Sequence, residues 1–367
     1  VTEPASGVGR DRYLDLLRAL ALVRIVTYHA FGWPWLTLLF PSLGVMFALA
    51  GSLMASSLER RSAPSVVGTR MRRLLVPFGV FAALVVPAMF LHGWGPPDPS
   101  QASGWWARLL LWVVPLDDPP FSQWAWQVNE PLWYVRAYLW FVLLAPLVLP
   151  VFRRLPVPLI AATLLAVTLL EFGVLDTGDS AALGRIVTDL TVFGACWLLG
   201  FAHHSGQIAR LSPRTVGVLA VPAMAFGGWY ALTHQTRQAY DLGPIPLAQA
   251  YWSFGFVLLL LRFRPRDLGW LRRVWTVDRL VYVFNARAVT IYLWHELALI
   301  AAVLVIDWMW SVPSLANALP LRTNWWKFVL TWPLLVVAVL VFGWVEDLAA
   351  RRRPQLWPRG RTDRTDG

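Results

Sequence analysis

Residues Arg18 to His29 read RALALVRIVTYH, two arginines and a histidine inside an otherwise apolar run. The run extends over 14–33. That is about the 20 residues a helix needs to cross a bilayer. Ionisable groups at membrane depth cost several kcal/mol unless they are paired, so they mark function by default. In an α-helix, residues eleven apart return to within about 20° of one face, about 16 Å further along the axis. Arg18 and His29 have that spacing, and Asp15, three residues before Arg18, is placed to pair with it. The expected face carries Asp15, Arg18, Leu22, Ile25 and His29, with Arg24 pointing roughly 120° away. A histidine in such a place can take a proton from a hydroxyl that attacks an ester or thioester. The motif by itself says proton or group transfer and no more.

Composition agrees with a membrane protein. Of 367 residues, 57% are hydrophobic and 14% charged, against about 45–50% and 25% in soluble domains. Ten apolar segments are candidate spans: 14–33, 38–58, 74–92, 131–151, 156–175, 186–203, 214–232, 246–262, 287–306 and 328–346. The expected fold is an all-α polytopic transmembrane helical bundle of about ten spans. The apolar stretch 103–116 is short and bounded by Pro and Asp, and reads as an interfacial or re-entrant piece. A removable signal peptide is not expected, because more apolar runs follow the first one and no small-residue cleavage site does.

The formal charge of +11 has an orientation. The termini and alternate loops (Arg10 and Arg12, Arg60–Arg73, Arg153–Arg154, Arg210–Arg214, Arg262–Arg279 and the tail from Arg351) hold 23 arginines. The other loops, 93–130, 176–185, 233–245 and 307–327, hold four arginines and one lysine. The positive-inside rule then places both termini in the cytoplasm. Because the charge falls between spans, it speaks for the cell membrane as location and lipid bilayer as partner, and against nucleic acid. The expected divisions are a cytoplasmic segment 1–13, a transmembrane domain 14–348 and a basic, disordered tail 349–367. A lone cysteine, Cys196, excludes an internal disulfide and a thiolate cluster. No four-ligand metal spacing or His-Glu-x-x-His motif is visible, so no metal is expected. The absence of repeat symmetry speaks against a transporter or exporter of glycan or lipid-linked substrate, the alternative reading of a ten-span chain.

Five pieces carry a resemblance. LDLLRALALVRIVTYH (Leu14–His29) resembles the opening helix of the integral-membrane acyltransferase family 3, with its Arg, ten residues, His. PSLGVMFALAGSLMASSL (Pro41–Leu58) is similar to the family's second helix, and RMRRLLVPF (Arg70–Phe78) to its basic entry into the third. PLWYVRAYLWFVLLAPLV (Pro131–Val148) resembles its Leu-Trp-aromatic helix, and NARAVTIYLWHELAL (Asn285–Leu299) its late Tyr-Leu-Trp-His helix. All five occur in order over roughly 14–348. Two positions depart from the pattern. Ala50-Gly51 stands where Ser-Gly is usual, and Glu130 precedes Pro131-Leu132-Trp133 where a histidine is common.

The resemblance implies a membrane O-acyltransferase. Its donor is acyl-CoA, by default acetyl-CoA, and its acceptor a hydroxyl of an extracytoplasmic or lipid-linked glycan, a glycolipid or a small metabolite. His29 is then the general base. Arg18 binds a CoA phosphate or anchors the pocket, or serves only as an ion pair holding its helix. Arg70, Arg72 and Arg73 bind the CoA phosphates, or express positive-inside topology, or both. His295 assists His29 or binds the donor, the alternative being a packed, hydrogen-bonded core histidine. Glu296 faces another direction, and at this depth it has a partner or faces the cavity. Arg136 and Arg287 are further intramembrane charges with Glu130, Glu296 or a phosphate as expected partners. Trp105, Trp106, Trp124, Trp126 and Trp133 are belt residues or a stacking surface for sugar.

Overall fold

The computed structural model describes residues 11–96, 102–236, 240–265 and 274–358. These residues fold into a helical bundle, and no strand occurs among them. Its long helices are α1 (Arg12–Phe31), α2 (Ser42–Arg60), α3 (Ala63–Leu91), α4 (Leu132–Arg154), α5 (Pro156–Glu171), α6 (Ala181–His204), α7 (Pro213–Thr233), α8 (Pro246–Arg262), α9 (Trp275–Ala286), α10 (Ala288–Trp310) and α11 (Asn324–Phe342). Among the described residues seven helical segments are long and apolar enough to cross a membrane: α3, α4, α6, α7, α10, α11 and the segment Leu36–Arg60 containing α2. The protein is therefore a multi-pass membrane protein. The other three candidate spans are also helical. In α1, Arg12, Asp15, Arg18 and Arg24 dilute the apolar run, whereas α5 and α8 are short, with 16 and 17 residues. The stretch 103–116 forms short turns of helix over Ala102–Arg108 and Leu109–Trp112.

Two boundaries differ from expectation. The third span begins at Ala63, eleven residues before the expected start at Leu74. Ser62 is extended at its N-cap, Pro64 suits the first turn, and nothing between Ser65 and Arg73 breaks a helix. Arg70, Arg72 and Arg73 are thus helical residues and not loop residues. The ninth candidate opens on Arg287, where the chain bends between α9 and α10. The N-terminal segment to Arg10, Asp98 and the end of the basic tail from 359 lie outside the described residues. From Arg351 to Pro358 the chain makes turns without regular helix.

The tightest packing lies between α2 and α6, α7 and α8, and α10 and α11. Between transmembrane helices, small residues let backbones approach closely, and dispersion supplies the attraction. Gly51 faces the carbonyl of Trp197, and Gly200 faces the backbone of Ala48 and Ser52. The departure at Ala50-Gly51 therefore keeps the residue that the packing requires. A Cβ on Gly200 would overlap the Ala48 carbonyl and the Ser52 amide. Gly200→Ala is expected to lower stability by about 1–3 kcal/mol, the usual cost of overpacking. A thermal melt in detergent checks this, and an unchanged melting temperature would contradict the close contact. Above this seam Phe47 meets Tyr134, Phe141 and Phe193 at 4.8–5.0 Å. That aromatic layer joins α2, α4 and α6 below the cavity described next.

Candidate active site

Helix α1 is set by its ends. Asp11 accepts from the Tyr13 amide at 3.0 Å, and Gly32 closes the helix in the left-handed region at φ 64°. Glycine has no Cβ to oppose that conformation. His29 thus lies in the last turn, where carbonyls lack helical partners. Lys327 of α11 donates to the His29 carbonyl at 3.2 Å and supplies one.

Helix α10 brings the partner groups. His29 Nδ1 lies 2.7 Å from Glu296 Oε1, and the His29 and His295 rings are 5.1 Å apart. His295 is fully buried and its Nδ1 donates to the Tyr292 carbonyl at 2.5 Å. Its Nε2 is 3.5 Å from Glu296 Oε1 and has no hydrogen-bond partner among the described residues. Tyr292 donates to the Pro131 carbonyl at 2.7 Å and ties α10 to the start of α4. The partner that Glu296 requires is His29. His29, His295 and Glu296 form a group able to converge on a cation. His29 Nδ1 and Glu296 Oε1 stand at ion-pair distance, 2.7 Å, while Oε1, like His295 Nε2, meets no well-aligned hydrogen-bond donor among the described residues.

A cavity of about 640 Å³ opens beside His29. Its polar wall includes Arg24, Tyr28, Glu130, Asp189, Asp241 and Gln249, and Trp133, Phe193 and Tyr292 supply aromatic surface. The expectation that Arg24 points away from the site is corrected. Its long side chain folds over the Tyr28 ring, 5.0 Å from the centroid, and Nε donates to the Leu36 carbonyl at 3.3 Å, so it reaches the same cavity. Tyr28 donates to Asp241 Oδ2 at 2.5 Å. Neither Arg24 nor Asp241 was visible as a site residue in the sequence. Asp241 comes from the connection before α8, and only the fold brings it to α1.

The remaining candidates spread along the bundle. Arg18 donates to Asn285 Oδ1 at 2.9 Å, and Asn285 Nδ2 donates to the Asp15 carbonyl at 2.7 Å. Arg18 does not line the cavity. Arg70 caps the Leu53 carbonyl and the Ser57 hydroxyl, both at 3.1 Å, and Arg72 donates to the Ala349 carbonyl at 2.7 Å. Arg73 is exposed among Arg61, Arg70, Arg72 and Arg352, a crowd of like charge.

The expected partners of Arg136 and Arg287 are also corrected. Arg136 is buried and donates to Asp118 and, at 2.7 Å, to Asp189 Oδ2. Arg185 joins the network through Asp117 at 2.7 Å and Asp118 at 3.2 Å. Arg287 binds Asp347 Oδ2 and the Gln355 carbonyl, both at 2.7 Å. Charges buried in a membrane need the nearest opposite charge, and tertiary packing supplied aspartates distant in sequence. The tryptophans divide. Trp133 lines the main cavity, and Trp105 lines a second hollow with Trp94, Phe121, Arg108, Arg185 and Asp118. Trp106, Trp124 and Trp126 are exposed.

The site thus offers a ring nitrogen held by a carboxylate, on the wall of a cavity with polar groups and an aromatic side. That is equipment for moving a proton to or from a hydroxyl. No curated protein and no solved structure gives a significant match. The family model for the acyltransferase 3 domain, described as an acyltransferase domain, matches residues 11–345. The match takes in α1 with its Arg18 and His29, the helices around the cavity and the His295-Glu296 pair of α10, and the chain belongs to the membrane acyltransferase family 3.

Proposed function

We propose that this acyltransferase takes an acyl group, by default acetyl, from acyl-CoA and places it on a hydroxyl of an extracytoplasmic or lipid-linked glycan or related metabolite. The observation that carries the reading is the His29–Glu296 pair on the cavity wall, 2.7 Å between nitrogen and oxygen. With Nδ1–H donating to the carboxylate, Nε2 keeps its lone pair. As the acceptor oxygen attacks the thioester carbonyl, Nε2 takes the hydroxyl proton. The new C–O bond forms, the C–S bond breaks, and the imidazolium returns its proton to the departing CoA thiolate. Glu296 stabilises the imidazolium meanwhile, the part a carboxylate plays behind a catalytic histidine. No acyl-enzyme is needed. His295 backs the pair from the buried side, and Arg18 holds α1 to Asn285 in register with α10.

For the donor, the crowd of arginines around Arg73 supports binding of the CoA phosphates, because like charges held together attract a polyanion. Changing Arg70, Arg72 and Arg73 together to Gln should raise KM for acetyl-CoA at least about tenfold, the scale of one charge-assisted hydrogen bond, with less change in acceptor KM. Arg73→Gln alone avoids the structural contacts of Arg70 and Arg72 and should move the same parameter. An unchanged donor KM would leave these arginines a topological role only.

In this proposal the chain crosses the membrane ten times with both termini in the cytoplasm, and the catalytic unit spans 14–348 between flanking segments 1–13 and 349–367. Single cysteines placed at 110 and 268, with buried Cys196 as background, test it. A membrane-impermeant thiol reagent applied from outside should label position 110 and spare position 268. The reverse pattern would overturn the orientation.

A further inference from the structure

Most charged groups facing the cavity are already satisfied. Asp189 is held by Arg136, Asp241 by the Tyr28 hydroxyl and, at 2.9 Å, the Gly243 amide, and His29 by Glu296. Arg24 lies within electrostatic reach of Asp241. Glu130 is different. It lines the cavity and is exposed to it, within electrostatic reach of both His29 and Glu296. Among the described residues its carboxylate has no hydrogen-bond or ion-pair partner. A carboxylate facing a solvent-filled cavity with no protein partner leaves its charge open to a cationic ligand. One turn further, Trp133 lines the same wall with its ring stacked on Phe193 at 5.6 Å. A carboxylate next to an indole is the chemistry that holds an ammonium ion, by charge on one side and by cation–π attraction on the other.

Building on the acyl-transfer reading above, we infer that Glu130 and Trp133 select an acceptor carrying a protonated amino group close to the hydroxyl that is acylated, such as an amino sugar unit. The hydroxyl then lies at His29 while the ammonium lies against Glu130. The residue that departs from the common histidine of this helix becomes the specificity-determining one.

The test uses glucosamine and glucose, which share a ring and differ in one ammonium. Both are titrated into the purified full chain in detergent, below the pH at which the amine loses its proton, with binding read by saturation-transfer NMR. Wild type should favour glucosamine at least about tenfold, the size of a single favourable ionic contact. Glu130→Gln and Trp133→Leu should each reduce that preference, and Glu130→Lys should abolish glucosamine binding. Equal binding of the two sugars, binding of neither, or a preference that survives Glu130→Gln would overturn the inference. Acetyl-CoA turnover by the same wild-type preparation separates the two levels. A preparation that turns over donor without preferring glucosamine refutes the acceptor assignment alone, and one that prefers glucosamine without turnover refutes the acyl-transfer reading alone.

Discussion

His29→Ala is expected to lower acyl transfer at least about a hundredfold, the low end of what a general base contributes. The loss should fall on kcat, with KM for acetyl-CoA nearly unchanged, because the arginines proposed for the donor lie toward the opposite end of α1. The protein should still fold and insert. His29 is only partly buried, its side-chain contacts centre on one carboxylate, and α1 is held by Asp11 at its start, Gly32 at its end and Arg18–Asn285 between them. The assay is the initial rate of radiolabelled acetyl transfer from acetyl-CoA to the envelope glycan and lipid fraction in proteoliposomes. Retention of more than half the activity would remove His29 as base and shift attention to His295.

Glu296→Gln is expected to have the second largest effect, a loss of at least about tenfold, the scale of one charge-assisted hydrogen bond. The carboxylate behind a catalytic histidine sets its tautomer and stabilises the imidazolium. An amide keeps the volume of the carboxylate but removes its charge. It then either presents oxygen to Nδ1–H, holding the tautomer without stabilising the imidazolium, or presents its NH2 and forces the proton onto Nε2, where it blocks the base. Because in the proposed mechanism Glu296 acts through His29, the double variant His29→Ala/Glu296→Gln should be no slower than His29→Ala. Independent, multiplying losses in kcat would contradict the coupling. Transfer rates of the four proteins in one proteoliposome series complete the cycle.

The helical bundle was legible because it is periodic and local, whereas of the expected face of α1 only Ile25 and His29 reach the cavity and Arg18 turns to Asn285. Spans announce themselves by length and composition, and the eleven-residue spacing of Arg18 and His29 depends on one helix only. Pairings were not legible. Arg136 finds Asp118 and Asp189 at sequence separations of 18 and 53, and His29 finds Glu296 across most of the chain. Periodicity along one helix carries no information about which helix will be its neighbour. Arg24 departs from the helical expectation for a different reason. Helical angles locate Cβ atoms, and an arginine reaches several ångströms beyond its own. The early start of α3 is not legible because arginines between apolar runs read as loop, although arginine is a good helix former.

The most direct test of the account is His29→Gln measured beside wild type. Glutamine keeps much of the shape of histidine and can donate from its amide to Glu296, but it has no nitrogen that accepts a proton. With acetyl-CoA and acceptor fraction saturating, wild type should transfer radiolabelled acetyl and release CoA in equal amounts, while His29→Gln, inserted and melting at the wild-type temperature, should fall by about a hundredfold or more. A His29→Gln protein that transfers acetyl at half the wild-type rate would contradict the account, since shape and hydrogen bonding alone would then suffice.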